Sequence, residues 1–212
     1  MKRLVMILTL FSVITVAFAQ SEEPGSDKKK KKVCFMIALM GGLDFSFITG
    51  ESDSYGGALP GGQGGLQFCI LDLAENLNLR LGIEYSMQGG KYEEGGEYGY
   101  NGGSGKVRTS YLNFPVTARY QGKGPVYAEA GLQPGVLLSA KDKFEGETND
   151  YKDYLNKFDM GIVLGGGYQI NKSISVGLRV VPGITNINKK QSTYAAPKDR
   201  NLVIGLRGYY TF

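Results

Sequence analysis

The chain has 212 residues, with 32 glycines, 14 tyrosines, 10 phenylalanines and no histidine or tryptophan. The lack of histidine excludes Ser-His-Asp and Cys-His nucleophile systems and the usual histidine-based zinc sites. The net charge of +4 comes from residues 1–32, because 7 of the 24 basic and 3 of the 20 acidic residues lie there and 17 of each remain, which argues against nucleic-acid binding.

The first 19 residues are predicted to be a secretory signal peptide. Two basic residues precede an apolar run, Leu4 to Phe18, and Ala17-Phe18-Ala19 places small residues around a cleavage site after Ala19. The alternative, a membrane helix, would need about 20 apolar residues. The segment therefore predicts that the chain is exported from the cytoplasm.

Residues 20–32, QSEEPGSDKKKKK, are predicted to be a flexible Lys-rich periplasmic leader. They contain no residue that could build a core. The five lysines are interpreted either as a solvated leader or as a contact with anionic lipid head groups, and we favour the former.

The body, residues 33–212, is organised around Leu77–Gln88, LNLRLGIEYSMQ. Its odd-numbered residues are apolar and its even-numbered residues are polar, charged or glycine. Successive side chains of a strand point to opposite faces, so this segment is predicted to be a strand with one apolar face. Its length suits a membrane-crossing strand of roughly 9–11 residues.

The same alternation recurs along the body and predicts an eight-stranded antiparallel up-and-down transmembrane β-barrel. The predicted strands are 33–47, 62–73, 77–88, 106–120, 125–139, 158–170, 173–184 and 201–212. Pro115 is expected to mark a bulge in the fourth strand, because proline cannot donate to the ladder.

The predicted connections alternate in length. The short ones are 74–76, 121–124 and 171–172, and the long ones are 48–61, 89–105, 140–157 and 186–200. An even number of strands with short turns at one rim is typical of outer-membrane barrels. It predicts an outer-membrane location with both termini in the periplasm and long loops outside.

Alternation alone does not say which face is outside, because a soluble lipocalin-like barrel alternates too. Three features favour the membrane: mid-strand charges among small residues, segregation of long and short loops, and a C-terminus that alternates aromatic residues. Tyr210 and Phe212 resemble the signal read by the outer-membrane assembly machinery. Exposed apolar strips this large would not suit a soluble protein.

The polar faces carry four acids and four arginines that are predicted to form a charge network in the lumen. These are Asp44, Arg80, Glu84, Arg119, Glu129, Asp159, Arg179 and Arg207. Side chains fill an eight-stranded barrel, and buried charges must be paired. We therefore predict a salt-bridge plug, with Arg119 and Glu129 diagonal across a hairpin, over an ion path or a catalytic carboxylate.

Cys34 and Cys69 are both predicted to face inward on adjacent strands. The envelope permits a disulfide, and two packed thiols are the simpler alternative.

The 89–105 loop, rich in Gly, Tyr and Glu, is interpreted as mobile or as a partner-binding surface. The acidic 141–157 segment lacks the spacing of an EF-hand and is predicted to be a solvated loop.

Three short sequence segments resemble the PorT-family outer membrane protein beta-barrel domain of Bacteroidetes. They are LNFPV at 112–116, AEAGLQPG at 128–135 and GGGYQI at 165–170, and the resemblance covers most of 33–212. It implies an OmpX/OmpA-like eight-stranded barrel. One branch of that family contributes to protein secretion, and no catalytic residue carries over.

These observations predict a non-enzymatic outer-membrane protein with no cofactor, metal site or catalytic residue. Its predicted partners are outer-membrane lipid, the assembly machinery during insertion, and binding partners at the long loops. The alternatives are an accessory component of a secretion machinery and a small barrel enzyme acting on lipids, which the lack of histidine disfavours.

Overall fold

Antiparallel β-strands form nearly all of the part of the chain that the structure describes, which is residues 36–52, 55–93, 103–189 and 197–212 of a computed structural model. The strands are β1 (Met36–Gly50), β2 (Tyr55–Gly57), β3 (Leu59–Ala74), β4 (Leu77–Glu93), β5 (Ser104–Asn113), β6 (Val116–Gln121), β7 (Val126–Phe144), β8 (Glu147–Asp150), β9 (Phe158–Gln169), β10 (Ile174–Pro182) and β11 (Asp199–Thr211). A short 3-10 helix, Lys152–Tyr154, follows β8. The predicted signal peptide and leader lie outside the described residues.

The strands close into a ring of eight. Each neighbour in the order β1, β3, β4, β5 with β6, β7, β9, β10 and β11 is paired antiparallel with the next. β11 pairs with β1 from Ala38↔Thr211 to Gly50↔Asp199, so neither strand is left as an edge. The predicted eight-stranded antiparallel barrel is confirmed.

One strand of the wall is broken at Phe114-Pro115. β5 and β6 both pair with β4 on one side and β7 on the other. Proline has no N–H to give to the ladder, but its carbonyl accepts from the Gly82 N–H at 2.8 Å. The sequence predicted a bulge at Pro115, and the structure shows a break between two strand segments there.

Several strands extend further toward the long loops than predicted. β7 continues to Phe144 and turns back at Glu145-Gly146 into β8, in the segment predicted to be a solvated loop. Both turn residues have positive φ, 47° and 94°, which suits a two-residue hairpin turn. Lysines and acids obscure the alternation here, so the sequence pattern did not reveal this hairpin.

The apolar faces of the strands point outward. Leu43 is 60% exposed and Leu206 is 56% exposed, whereas Asp44 and Arg179 are at most 1% exposed. Exposed apolar side chains recur on the wall strands β1, β3, β4, β6, β7, β9, β10 and β11. The polar faces therefore fill the interior, and the inside-out arrangement of a soluble lipocalin-like barrel is excluded.

Hydrophobic side chains close the interior near the long loops. One cluster contains Tyr111, Leu137, Ala140 and Leu155, and a second contains Ile48, Val107 and Ile187, with Tyr55, Tyr92 and Tyr151 packed against them. We call these two clusters the apolar cap. Among the described residues, no helix has the length and apolar character needed to cross a membrane.

Candidate functional site

A continuous chain of ion pairs crosses the barrel interior. The order is Arg119, Glu129, Arg179, Glu84 and Arg207, with N···O distances of 2.9, 2.7, 3.3 and 2.7 Å. The five charged side chains are at most 3% exposed. Each of the two glutamates contacts two arginines, so neither carboxylate is left unpaired.

The topology brings these residues together from different sides of the ring. Glu84 lies on β4 and Arg179 on β10, which are opposite strands of the eight, so their ion pair spans the lumen. Arg119 and Glu129 stand directly opposite each other on β6 and β7. The sequence prediction of a diagonal arrangement is wrong in that detail, because the turn at 122–125 sets them in direct register.

The arginines nearest the short turns are held by aromatic and amide side chains. The Arg119 guanidinium lies 3.9 Å from the centre of the Tyr127 ring and 5.1 Å from that of Tyr209. Arg119 and Arg80 both donate to Gln67 Oε1, at 3.4 and 3.2 Å. Gln67 therefore joins Arg80 to the ion-pair chain without a direct carboxylate contact.

The two aspartates of the predicted network lie apart from the ion-pair chain. Asp44 accepts from the Ser86 hydroxyl at 2.8 Å, and Ser86 in turn accepts from Gln88 Nε2 at 3.2 Å. Asp159 accepts from Asn201 Nδ2 at 2.8 Å and from the Thr185 hydroxyl. The structure thus joins five of the eight predicted charges by ion pairs and a sixth, Arg80, through Gln67.

Sequence reasoning missed the uncharged polar partners. Gln67, Ser86 and Gln88 lie on the inward faces of β3 and β4 and are at most 3% exposed. The alternation of side chains along β3 and β4 could have revealed them, because it places all three on the polar, inward-facing side. The polar interior therefore contains uncharged amide and hydroxyl side chains as well as the charged ones.

A small polar cavity lies between the ion pairs and the apolar cap. It measures about 10 Å³, and Gln88, Asn113, Gln133, Asp159 and Asn201 contribute to its lining. That volume holds about one water molecule. Side chains of the described residues therefore fill the rest of the interior around this cavity.

Hydrogen bonds and aromatic contacts order the rim that carries the long loops. Asp199 accepts from the Ser52 N–H at 3.0 Å and from Asn188 Nδ2 at 2.8 Å, which ties the first long connection to the last. Burial raises the pKa of Tyr55 and of Tyr151 above the ordinary value, and nearby acidic groups add to the shift. These phenols stay neutral in the packed cap.

Two further predictions, the disulfide and the C-terminal assembly signal, remain untested. Cys69 is buried on β3, but Cys34 lies outside the described residues, so the disulfide stays a prediction. Tyr210 and Phe212 are exposed on the outer surface with ring centres 5.2 Å apart, and their role as an assembly signal stays a prediction.

A family model supports the fold with sequence evidence. The model described as outer membrane protein beta-barrel domain matches residues 18–189, which is most of the chain. Among curated proteins, a sequence comparison finds no match. The family match does not reach β11, the strand that closes the ring.

Solved structures of small outer-membrane barrels are similar to this chain. Neisserial surface protein A has a TM-score of 0.50 at 12% identity and covers 83% of this chain and 97% of its own. Ail of Yersinia pestis, in complex with the heparin analogue sucrose octasulfate, has a TM-score of 0.47 at 9% identity, with coverages of 84% and 99%. OprG of Pseudomonas aeruginosa has 0.42 at 11%, with coverages of 85% and 97%. At 12% identity, the similarity to Neisserial surface protein A shows a shared fold and nothing about function.

Proposed function

Because the chain belongs to the outer membrane protein beta-barrel domain family, we propose that it is a non-enzymatic outer-membrane protein with a plugged lumen that acts through its long-loop rim. The long loops lie outside the cell and the chain termini in the periplasm in this proposal. The observation that carries it is the ion-pair chain from Arg119 to Arg207, which occupies the interior.

The buried charges support a structural role better than a catalytic one. Both glutamates contact two guanidinium groups at 3.3 Å or less. Glu129 is the ion-pair partner of Arg119 and Glu84 that of Arg207, and each glutamate also pairs with Arg179, so both carboxylates are needed to compensate buried arginines. The network therefore serves to hold the opposite walls of the barrel together.

Planar-bilayer recording tests the plugged lumen. The purified full chain, inserted in a bilayer, should give no steady conductance of nanosiemens size, with an open porin as the positive control. A steady open channel of that size in the unmodified protein would overturn the proposal.

The long-loop rim is the surface that remains for partners. Asp199 and the apolar cap hold the described parts of several loops together, so this rim presents a defined surface. Crosslinking in native membranes, followed by identification of the attached proteins, should recover an envelope or extracellular partner. Crosslinks confined to the short-turn rim would contradict a role for the loops.

A second candidate function is that of an accessory component in a protein secretion machinery. It is favoured by the resemblance of residues 112–116, 128–135 and 165–170 to the PorT family. Co-purification of secretion components and loss of export on deletion would support it. Deletion that leaves export intact would exclude it.

A further inference from the structure

Five basic side chains lie together on the outer surface of three adjacent wall strands near the long loops. They are Lys91 of β4, Lys106 and Arg108 of β5, and Lys141 and Lys143 of β7. We call them the basic patch. Four of the five are exposed and Lys106 is half-buried.

The strand register aligns these charges in two rows. Lys106 stands directly opposite Lys91 on one side and Lys143 on the other. In the next row, Arg108 stands opposite Lys141 and Gly89. Like charges directly opposite on one face of a sheet are destabilising, so this arrangement costs folding energy unless an anion is present.

The described acidic neighbours compensate only part of this charge. Asp150 of β8 stands opposite Lys141. Asp142 lies between the two patch lysines of β7 in sequence, but it accepts from the Tyr92 hydroxyl of the apolar cap at 2.9 Å. An anion from outside the chain would therefore find an electropositive surface.

The basic patch borders the apolar belt of the barrel wall. Toward the short turns, the next row contains Met87, Ser110 and Ser139, and the row after it contains Tyr85, Leu112 and Val136. Each row is two residues along the strand, or roughly 7 Å. The two rows of the patch thus lie about 14 and 21 Å along the strands from side chains that face lipid tails. A strand tilt of roughly 35–45° shortens these distances along the membrane normal to about 11 and 16 Å, which brings the nearer row to the head groups.

We propose that the basic patch binds the phosphate groups of anionic lipid head groups in the adjacent leaflet. Guanidinium and ammonium groups are the side chains that recognise phosphate. This inference rests on the proposed insertion of the barrel in a membrane, and it does not depend on which rim faces out of the cell.

Lipid is favoured over an acidic protein because of where the patch lies. Its residues are on the barrel wall next to exposed apolar side chains such as Tyr85 and Val136, and not on the tip of a loop. A ligand there must approach along the membrane surface. Lipid head groups are already present at that depth at high local concentration.

The test compares two variants with equal loss of charge. The patch variant is Lys106→Gln, Arg108→Gln and Lys143→Gln, and the control is Lys123→Gln, Lys172→Gln and Arg200→Gln, all exposed residues outside the patch. Each full-length protein in neutral detergent is titrated with phosphatidylglycerol or with phosphatidylcholine. The readouts are retained lipid by native mass spectrometry and thermal stability by circular dichroism.

We expect phosphatidylglycerol to bind and stabilise the unmodified protein and the control, and phosphatidylcholine to do so much less. The patch variant should lose at least roughly tenfold in apparent affinity for the anionic lipid, since three phosphate-facing charges are removed. Without anionic lipid it should be more stable than the unmodified protein, because the cross-strand repulsion is gone.

An unchanged lipid response in the patch variant, an equal loss in both variants, or binding of an acidic protein in place of anionic lipid would each overturn the inference. Failure of the unmodified chain to insert into bilayers would instead contradict the proposed membrane function. Insertion without a preference for anionic lipid would contradict only this inference.

Discussion

Arg179 and Glu84 belong to opposite strands of the barrel, β10 and β4, yet their side chains meet at 3.3 Å. Arg179 also contacts Glu129 of β7 at 2.7 Å. One guanidinium group therefore connects three sides of the wall. Because it is 1% exposed, the interaction is shielded from water and salt.

Replacing Arg179 by methionine should destabilise the barrel strongly. The change removes one of the two arginine partners of both Glu84 and Glu129, and breaking a buried ion pair costs about 3–5 kcal/mol. Equilibrium unfolding in urea, followed by circular dichroism in lipid vesicles, would measure the loss. Arg200→Met is the control, because Arg200 is exposed and its change should cost less than about 0.5 kcal/mol. Equal midpoints for the two variants would show that the network adds nothing.

An arginine introduced into the apolar belt should be costly, and more so at its centre than at its edge. Leu43 lies in the middle of the outward face of β1, and Thr49 lies on the same face near the long loops. Leu43→Arg should cost about 2–4 kcal/mol and Thr49→Arg about 1 or less. Unfolding in lipid vesicles measures both, and equal costs would contradict the proposed position of the bilayer.

Glycine at position 131 is expected to be required for close strand approach. A Cβ there would lie 2.0 Å from the Val116 carbonyl oxygen and 2.7 Å from the Thr117 Cα, both backbone atoms. Gly131→Ala should therefore cost about 1–3 kcal/mol through forced backbone displacement. At Gly124, where a Cβ would meet nothing within 4 Å, the same substitution should have little effect. A neutral Gly131→Ala would mean that the wall accommodates the methyl group.

The stability of the apolar cap should fall at alkaline pH. The pKa values of Tyr55 and Tyr151 are raised by burial in the folded state. The unfolded chain therefore releases these protons first, at about pH 10. Their contribution to stability is complete below that pH and is lost as pH rises toward the folded pKa.

The corresponding measurement is the free energy of unfolding at pH 9 and pH 11. The drop between the two should be smaller in Tyr55→Phe/Tyr151→Phe than in the unmodified chain, since phenylalanine does not ionise. Tyr154→Phe is the control, because Tyr154 is 50% exposed and lies in the 3-10 helix, outside the lipid-facing wall. A drop that is the same in all three proteins would assign the alkaline effect to other groups.

The alternation of side chains along the strands was sufficient to predict the wall and its two faces. Leu43 and Asp44 are adjacent in sequence, and the structure places one outside and the other inside. The proximity of Arg119 and Glu129 also followed from sequence, because a short turn joins their strands. These features depend on local geometry, which a period of two residues determines.

The partners across the barrel could not be predicted in the same way. Which arginine reaches Glu84 depends on the stagger of all eight strands, and no short segment contains that information. The same holds for Asp199, which is linked to Ser52 across 147 positions. The β7–β8 hairpin was missed because its strands carry charges on both faces.

The pairing of β1 with β11 has a consequence for how the protein is made. It joins the first and last described strands, so it is the final pairing that a growing chain can complete. Such distant contacts form slowly, and until then two unprotected borders can bind other chains. A product truncated before residue 199 would keep both borders open, and so would be prone to aggregation before reaching a bilayer.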